Sequence, residues 1–272
     1  MLQADVLSPL LRASFMLSYL DSETNQFIEN SILTSNSVCL QVYYAFMSSI
    51  LSFFLSRTSI NGILNRGAMF LFSVNQLKYF LNIPPDWNAS EKRLLDLGAG
   101  NGGITKKLSV FYSNVHVTEI SEVMKWRLRL EDFIIEDVDT WYSSLDSYDL
   151  ISVLNLLDRH YNPQKLLKDI HMAAFRSNCP VLIAVVLPIH QFVEYHPFRK
   201  SNQADVRLQV EGNTFEQQVS SLIENEFVPV GFQVIRWTKL PYLCEGDSSQ
   251  SIYVLEDAVF LLHPVATETC KI

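Results

Sequence analysis

Apolar and polar positions change rhythm once along the chain, at Pro84-Pro85-Asp86, which stops the helix expected to hold Gln76 to Leu81. Before that point helical patterning dominates. After it, short apolar runs alternate with amphipathic stretches, and the runs predict seven strands, over 93–97, 115–120, 132–137, 148–154, 180–187, 232–240 and 253–262. Helices are predicted between them over 102–111, 121–130, 162–175 and 214–225, the alternation a doubly wound parallel sheet requires. The last two strands break the pattern. Pro241 to Ile252 is too short for a helical crossover but ample for a return, so the terminal strand is expected to run antiparallel. The expected architecture is α/β: a seven-stranded Rossmann-like sheet with a terminal antiparallel strand, plus an N-terminal helical extension. Residues 1–90 are assigned to the extension, packed on a domain of 91–272 that carries a polar insertion at about 188–213.

One N-terminal stretch reads in two ways. No charge occurs between Glu29 and Arg57, a run long enough to cross a bilayer as a helix. Gln41, Ala45, Ser48, Ser52 and Ser56 nevertheless recur at helical spacing as a small polar stripe. The expectation is therefore a helix buried against the domain, with membrane contact the less favoured alternative. Arg12 lies inside the first apolar stretch with no basic start before it, the wrong order for a secretory signal.

Composition narrows the function classes. The 272 residues are 48% apolar, enough for a full core, and the net charge of -8 lacks the basic footprint of nucleic-acid binding. Cys39, Cys179, Cys244 and Cys270 stand singly, with no pairing pattern for a zinc ribbon or a dithiol, and they leave the compartment open. None of His116, His190 and His196 has a partner at metal-ligand spacing, so no metal is expected.

The strongest local signal is Leu94-Leu95-Asp96-Leu97-Gly98-Ala99-Gly100-Asn101-Gly102, an apolar strand entering a glycine turn and then a helix. Glycines let a backbone approach a ligand closely, and a helix start presents unpaired N–H groups. Gly103 also completes G-x-G-x-x-G, so the turn alone admits a dinucleotide. Two neighbours weigh against that. Asp96 would repel a pyrophosphate but suits the ammonium of an amino-acid ligand, and Glu119, about twenty residues further on, is placed to accept from ribose hydroxyls. With a reversed last strand, these features fit an S-adenosylmethionine-dependent methyltransferase better than a dehydrogenase. Past the fourth strand, Leu154-Asn155-Leu156-Leu157-Asp158-Arg159 lies at the sheet edge where ligands bind. On spacing alone, Asn155 and Asp158 serve either a ligand or the fold, Asp158 as a helix cap and Asn155 on loop backbone. Tyr242, Glu245, Asp247 and Tyr253 surround a turn that is either a pocket mouth or an ordinary hairpin.

The glycine turn, the Leu-Asn-Leu-Leu-Asp-Arg stretch and Leu240-Pro241-Tyr242-Leu243-Cys244-Glu245-Gly246-Asp247 together resemble the DREV family of protein-histidine N-pros methyltransferases. Ser56-Arg57-Thr58-Ser59-Ile60-Asn61-Gly62, Arg66-Gly67-Ala68-Met69-Phe70 and Leu187-Pro188 extend the likeness from about Tyr19 to Pro264. The resemblance implies methyl transfer from S-adenosylmethionine, without a metal, to the pros nitrogen of histidine in proteins with alternating His-x-His segments. It further implies a cofactor site of Asp96, Gly98, Gly100, Asn101, Glu119, Asn155 and Tyr242, and a catalytic set of Asp158, Asn155 and Tyr253, of which Asp158 and Tyr253 face the imidazole. Asn101 stands where the family usually has Asp. The expected partners are His-rich protein segments, and the chain is expected to act as a monomer. Another amine acceptor, or a non-catalytic protein that binds S-adenosylmethionine, is the alternative.

Overall fold

The computed structural model describes residues 4–266. Cys270 falls outside them; Cys39, Cys179 and Cys244 are free. The N-terminal helices are α1 (Pro9–Ser14), α2 (Ser22–Asn36), α3 (Val38–Leu51) and α4 (Arg57–Leu64). Strand β1 (Met69–Phe70) and helix α5 (Val74–Phe80) follow. The remaining strands are β2 (Arg93–Leu97), β3 (Asn114–Thr118), β4 (Ile134–Glu136), β5 (Leu150–Leu154), β6 (Val181–Val186), β7 (Phe232–Glu245) and β8 (Ile252–Pro264). Helices α6 (Thr105–Leu108), α7 (Glu122–Leu130), α8 (Pro163–Ser177), α9 (Phe215–Leu222) and α10 (Val228–Val230) lie between them.

The strands form one sheet in the order β1-β7-β8-β6-β5-β2-β3-β4. β2 to β6 pair in parallel, and β8 runs antiparallel to both β6 and β7. The reversed strand is thus last in the chain but interior in the sheet. The expected count of seven rises to eight because Met69–Phe70 pairs antiparallel with Cys244 and Leu243 at the far edge. A two-residue strand gives no periodicity to read. β7 also runs five residues past its predicted end at 240, through Pro241, whose missing N–H the pairing with Glu256 tolerates.

Parallel strands covered on both faces are apolar throughout, and alternate residues enter two cores. Leu95, Ile151, Ile183 and Phe260 pack with Leu166, Leu167, Ile170 and Val219 on one side. Leu94, Leu150, Leu182 and Val259 pack with Leu77, Leu108 and Leu128 on the other. The first core also contains Leu7 and Leu11. Trp237, wholly buried, donates from Nε1 to the Leu11 carbonyl at 2.8 Å, and its ring centroid lies 4.7 Å from that of Phe15, the planes tilted by 59°. Trp237→Ala is expected to cost about 3–5 kcal/mol, because it opens a cavity and removes that hydrogen bond together. Urea unfolding measures it, and a cost under about 1 kcal/mol would mean that the N-terminal segment is not held by this contact.

Two helix expectations change. The helix predicted over 102–111 is only Thr105–Leu108, because Gly102 takes φ 78° and keeps the turn open until Ile104. The uncharged run is not one buried helix. It breaks at Ser37 between α2 and α3, and α3 buries only Tyr44, in a small cluster with Ile60 and Leu64. Val42, Phe46, Phe53 and Phe54 face outward. No helix among the described residues is long and apolar enough to cross a membrane.

Candidate active site

The carboxyl ends of β2, β3 and β5 meet at one edge, and the start of β8 joins them there through its reversed direction. Gly98, Gly100 and Gly102 all have positive φ, at 72°, 56° and 78°. The working pattern is therefore G-x-G-x-G, and Gly103 is not one of the positive-φ glycines. Asn101 Oδ1 accepts from the Gly103 N–H at 2.9 Å, a turn-closing bond that an Asp would make equally well. A Cβ built on Gly100 meets nothing within 4 Å, whereas one on Gly102 meets Leu128 Cδ2 at 2.9 Å. The first glycine borders space and the second serves packing.

Two carboxylates brace this turn. Asp96 is buried beneath it and accepts from Thr105 Oγ1 and Ser152 Oγ, both at 2.6 Å, so its oxygens already serve hydroxyls of the protein. Burial pushes its carboxyl up to about 6 against those hydrogen bonds. The unfolded carboxyl ionises near 3.8 while the folded one holds its proton to about 6, so this contribution is complete below the unfolded value and is lost as pH rises through 6. Asp96→Asn is expected to flatten that loss by on the order of 3 kcal/mol between pH 4 and 7. Unfolding free energies at the two pH values test this, and an unchanged slope would locate the titration elsewhere. Glu119, just past β3, accepts from the Gly100 N–H at 2.9 Å and from the Ile120 and Ser121 N–H groups at 2.8 Å. Its carboxyl is raised by burial, which those backbone bonds oppose.

The end of β5 carries the second half of the site. Asn155 takes φ 55° and donates from Nδ2 to Asp257 Oδ2 at 2.8 Å, so it does not satisfy loop backbone. Asp158 lies in a short 3-10 turn, Leu157–Arg159, and does not cap α8, which Asn162 does by accepting from the Lys165 N–H. Burial pushes the Asp158 carboxyl up to about 6, with Arg159 pulling it back. Asp257, wholly buried on β8, is raised to about 7 by burial and further by Asp158, against the hydrogen bond from Asn155. Asn155 Oδ1, Asp158 Oδ1 and Asp257 Oδ1 are all buried without a hydrogen-bond partner. Three buried acceptors without partners are a costly arrangement for a chain to hold for its own sake.

The β7–β8 ribbon extends the site outward. Opposed pairs Leu240 and Asp257, Tyr242 and Leu255, and Cys244 and Tyr253 share one face by strand alternation. Tyr242 is buried beside Met69, with its hydroxyl raised by desolvation. Tyr253 is 38% exposed near the turn and donates to Asp247 Oδ2 at 3.3 Å. It stands about 13 Å along the strand from Asp257. The insertion covers the other side: the Phe192 N–H donates to the Asp158 carbonyl at 3.1 Å, and Glu194 pairs with Arg159. Pairing of β3 with β4 brings His116 to Glu136, and Asp146 from the loop before β5 joins them, the ligand atoms lying within 4.8 Å of one another, although Arg93 already pairs with Asp146 at 3.0 Å.

Asp257 has no counterpart in the sequence reading. Its signal was a lone acid inside an apolar strand, Val254-Leu255-Glu256-Asp257-Ala258-Val259, on the face that alternation turns inward. β1 could have been found through its motif: the Glu245 N–H donates to the Ala68 carbonyl and the Ala68 N–H to Glu245 Oε2, so Arg66-Gly67-Ala68-Met69-Phe70 is bonded to the end of β7.

The model of the DREV methyltransferase family matches residues 1–264, nearly the whole chain. The chain belongs to the DREV methyltransferase family. It is, by that family, a methyltransferase. Among solved structures, a Pyrococcus horikoshii protein provisionally assigned as an RNA methyltransferase is 16% identical, with 71% of this chain and 83% of that chain covered and a TM-score of 0.44. A Listeria monocytogenes protein provisionally assigned as an S-adenosylmethionine-dependent methyltransferase is 14% identical, over 70% and 98%, with a TM-score of 0.42. The N-terminal domain of EvdMO1, solved with S-adenosylhomocysteine bound, is 18% identical over 71% and 81%, with a TM-score of 0.40.

Proposed function

We propose that this DREV protein methylates the pros nitrogen of histidine in protein segments of alternating His-x-His, with the cofactor at the glycine turn. The residues there fit such a cofactor. Gly100 leaves open the space a Cβ would fill, and Glu119 Oε2 accepts one bond and keeps a lone pair for a ribose hydroxyl. Asn155 and Tyr242 complete the cofactor wall in this reading, and Asp96 holds the turn from beneath through Thr105 and Ser152.

The observation that carries the acceptor class is the trio of buried oxygens without donors, on Asn155, Asp158 and Asp257. Acceptors that have no donor within the protein favour a substrate bearing N–H. Imidazole has two inequivalent nitrogens, and only the unprotonated one has a lone pair to attack with. Asp158 accepts the tele N–H, which leaves the pros nitrogen free and stabilises the imidazolium as charge develops. Bound S-adenosylmethionine supplies the electrophilic methyl group. Neutral imidazole is already a nucleophile near pH 7, so the protein contributes chiefly alignment. Phe192 and Tyr195, half-exposed on the insertion, and the acidic surface suit a His-rich segment. Tyr253, on the ribbon, serves as the outer wall of that groove.

The test is transfer from S-adenosylmethionine to a peptide with alternating histidines, read by fragmentation mass spectrometry that separates pros- from tele-methylhistidine. A pros product is expected. A tele product, or cofactor binding with no methylation of any histidine peptide, sinks the assignment and favours another amine.

A further inference from the structure

A cavity of about 470 Å3 lies between α3 and α4, and Ser48, Ser52, Asn61, Arg57 and Arg66 are among its walls. The two arginines come from the motifs at 56–62 and 66–70, which the methyl-transfer site does not use. Among the described residues, neither guanidinium forms an ion pair or donates a hydrogen bond. Arg66 lies over the Tyr44 ring, 5.1 Å from its centre. Glu245, whose charge is felt at the Tyr44 hydroxyl, accepts the Ala68 N–H at 2.9 Å and pairs with neither arginine. Two cations facing one cavity, in a chain of net charge -8 that has acids to spare, repel each other until an anion joins them. Guanidinium forks suit a phosphate, and the Ser48 hydroxyl and Asn61 amide, without side-chain partners among the described residues, add further donors.

The rim of the cavity indicates what carries that phosphate. Ser52 and Leu55 line it and bracket Phe53 and Phe54, each 83% exposed. From there Ile50, Phe46, Val42 and Val38 continue along α3 at four-residue spacing, all exposed, as an apolar stripe about 18 Å long. No charge interrupts the run from Glu29 to Arg57, and exposed serines in it are spent on their own helix. Ser49 Oγ donates to the Ala45 carbonyl and Ser52 Oγ to the Ser49 carbonyl, both at 2.9 Å. A protein partner meets a rim of polar contacts, whereas hydrocarbon requires polar groups to be satisfied from within, as these are.

We propose that this face is a docking site for a membrane bearing anionic phospholipid. Phe53 and Phe54 enter the interface, the α3 stripe lies along it, and Arg57 and Arg66 hold a lipid phosphate. The helix rests on the bilayer without crossing it. Ser59 Oγ lies 3.2 Å from Ser121 Oγ, so the docked face is joined to the start of α7, beside Glu119. The proposal does not depend on which acceptor is methylated.

Flotation of the full chain with phosphatidylcholine vesicles, with and without about a quarter phosphatidylserine, tests it. The partition coefficient is expected to be at least about tenfold higher on the anionic vesicles and to fall with added salt. Arg57→Gln should lower it about fivefold, and Phe53→Ser with Phe54→Ser at least about tenfold. All three side chains are exposed, so Tm should hold in both variants. No flotation, equal flotation on both vesicles, or flotation that these variants leave unchanged overturns the proposal. Binding of inorganic phosphate by calorimetry without flotation assigns the cavity to a soluble anion and overturns it too. A dimer in sedimentation equilibrium that the phenylalanine variant dissociates, again without flotation, assigns the face to a second copy with the same result.

Discussion

Asp158→Asn is expected to lower kcat for histidine methylation by roughly a hundred- to a thousandfold, while the dissociation constant for S-adenosylhomocysteine moves less than about threefold. The argument turns on what faces the ring. Asp158 is buried, its Oδ1 has no partner inside the protein, and its main chain is held by Phe192. Asn has the same outline but can present a donor, and a donor beside imidazole selects the tautomer with the wrong nitrogen free. The acid side of the pH profile gives a second readout. Burial sets the Asp158 carboxyl at about 6, and acceptance requires the ionised form, so kcat/KM should fall as pH drops below about 6. In Asp158→Asn that limb should shift, leaving the substrate imidazole and Asp257, raised by burial to about 7, to titrate. Equal losses of turnover and cofactor affinity would move Asp158 from the acceptor to the cofactor wall.

The framework of the site was legible because it is local. Arg93–Leu97 is a buried apolar strand, three of the glycines after it need positive φ, and Glu119 follows at the distance that one helical crossover sets. The reversed last strand could be read from a connection too short for a helix. What stayed hidden depends on register between distant strands. Nothing near Asp257 announces Asn155, since β5 and β8 meet only through β6, and nothing near Met69 announces Cys244. Tyr253 was placed at the chemistry by resemblance, and four residues of strand separate it from Asp257. The apolar face of α3 was misread for a different reason. Periodicity shows that a helix has a stripe but not which stripe is covered, and here the protein covers Tyr44 and leaves Phe46 to the outside.

Gly100→Val is expected to raise the dissociation constant for S-adenosylhomocysteine by at least about a hundredfold, and to abolish methyl transfer while the protein stays folded. Gly100 sits at φ 56°, so a β-branched residue is strained there by about 1–2 kcal/mol, which lowers Tm by several degrees without unfolding the domain. The larger effect comes from space. A Cβ at this position meets no atom of the protein within 4 Å, so the methyl groups of Val would project into the volume reserved for the ligand. They would also press on the Gly100 N–H that Glu119 accepts, disturbing the carboxylate that awaits the ribose. Gly102→Ala is the contrasting variant. Its Cβ lies 2.9 Å from Leu128 Cδ2, on a side chain that is wholly buried, so overpacking should lower stability first and affinity only as a consequence. Thermal melts with and without S-adenosylhomocysteine separate the two. Gly100→Val should melt near its unliganded temperature at every concentration tried, and Gly102→Ala should start low and still rise with ligand. A Gly100→Val protein stabilised as strongly as wild type would show that the cofactor does not approach this turn.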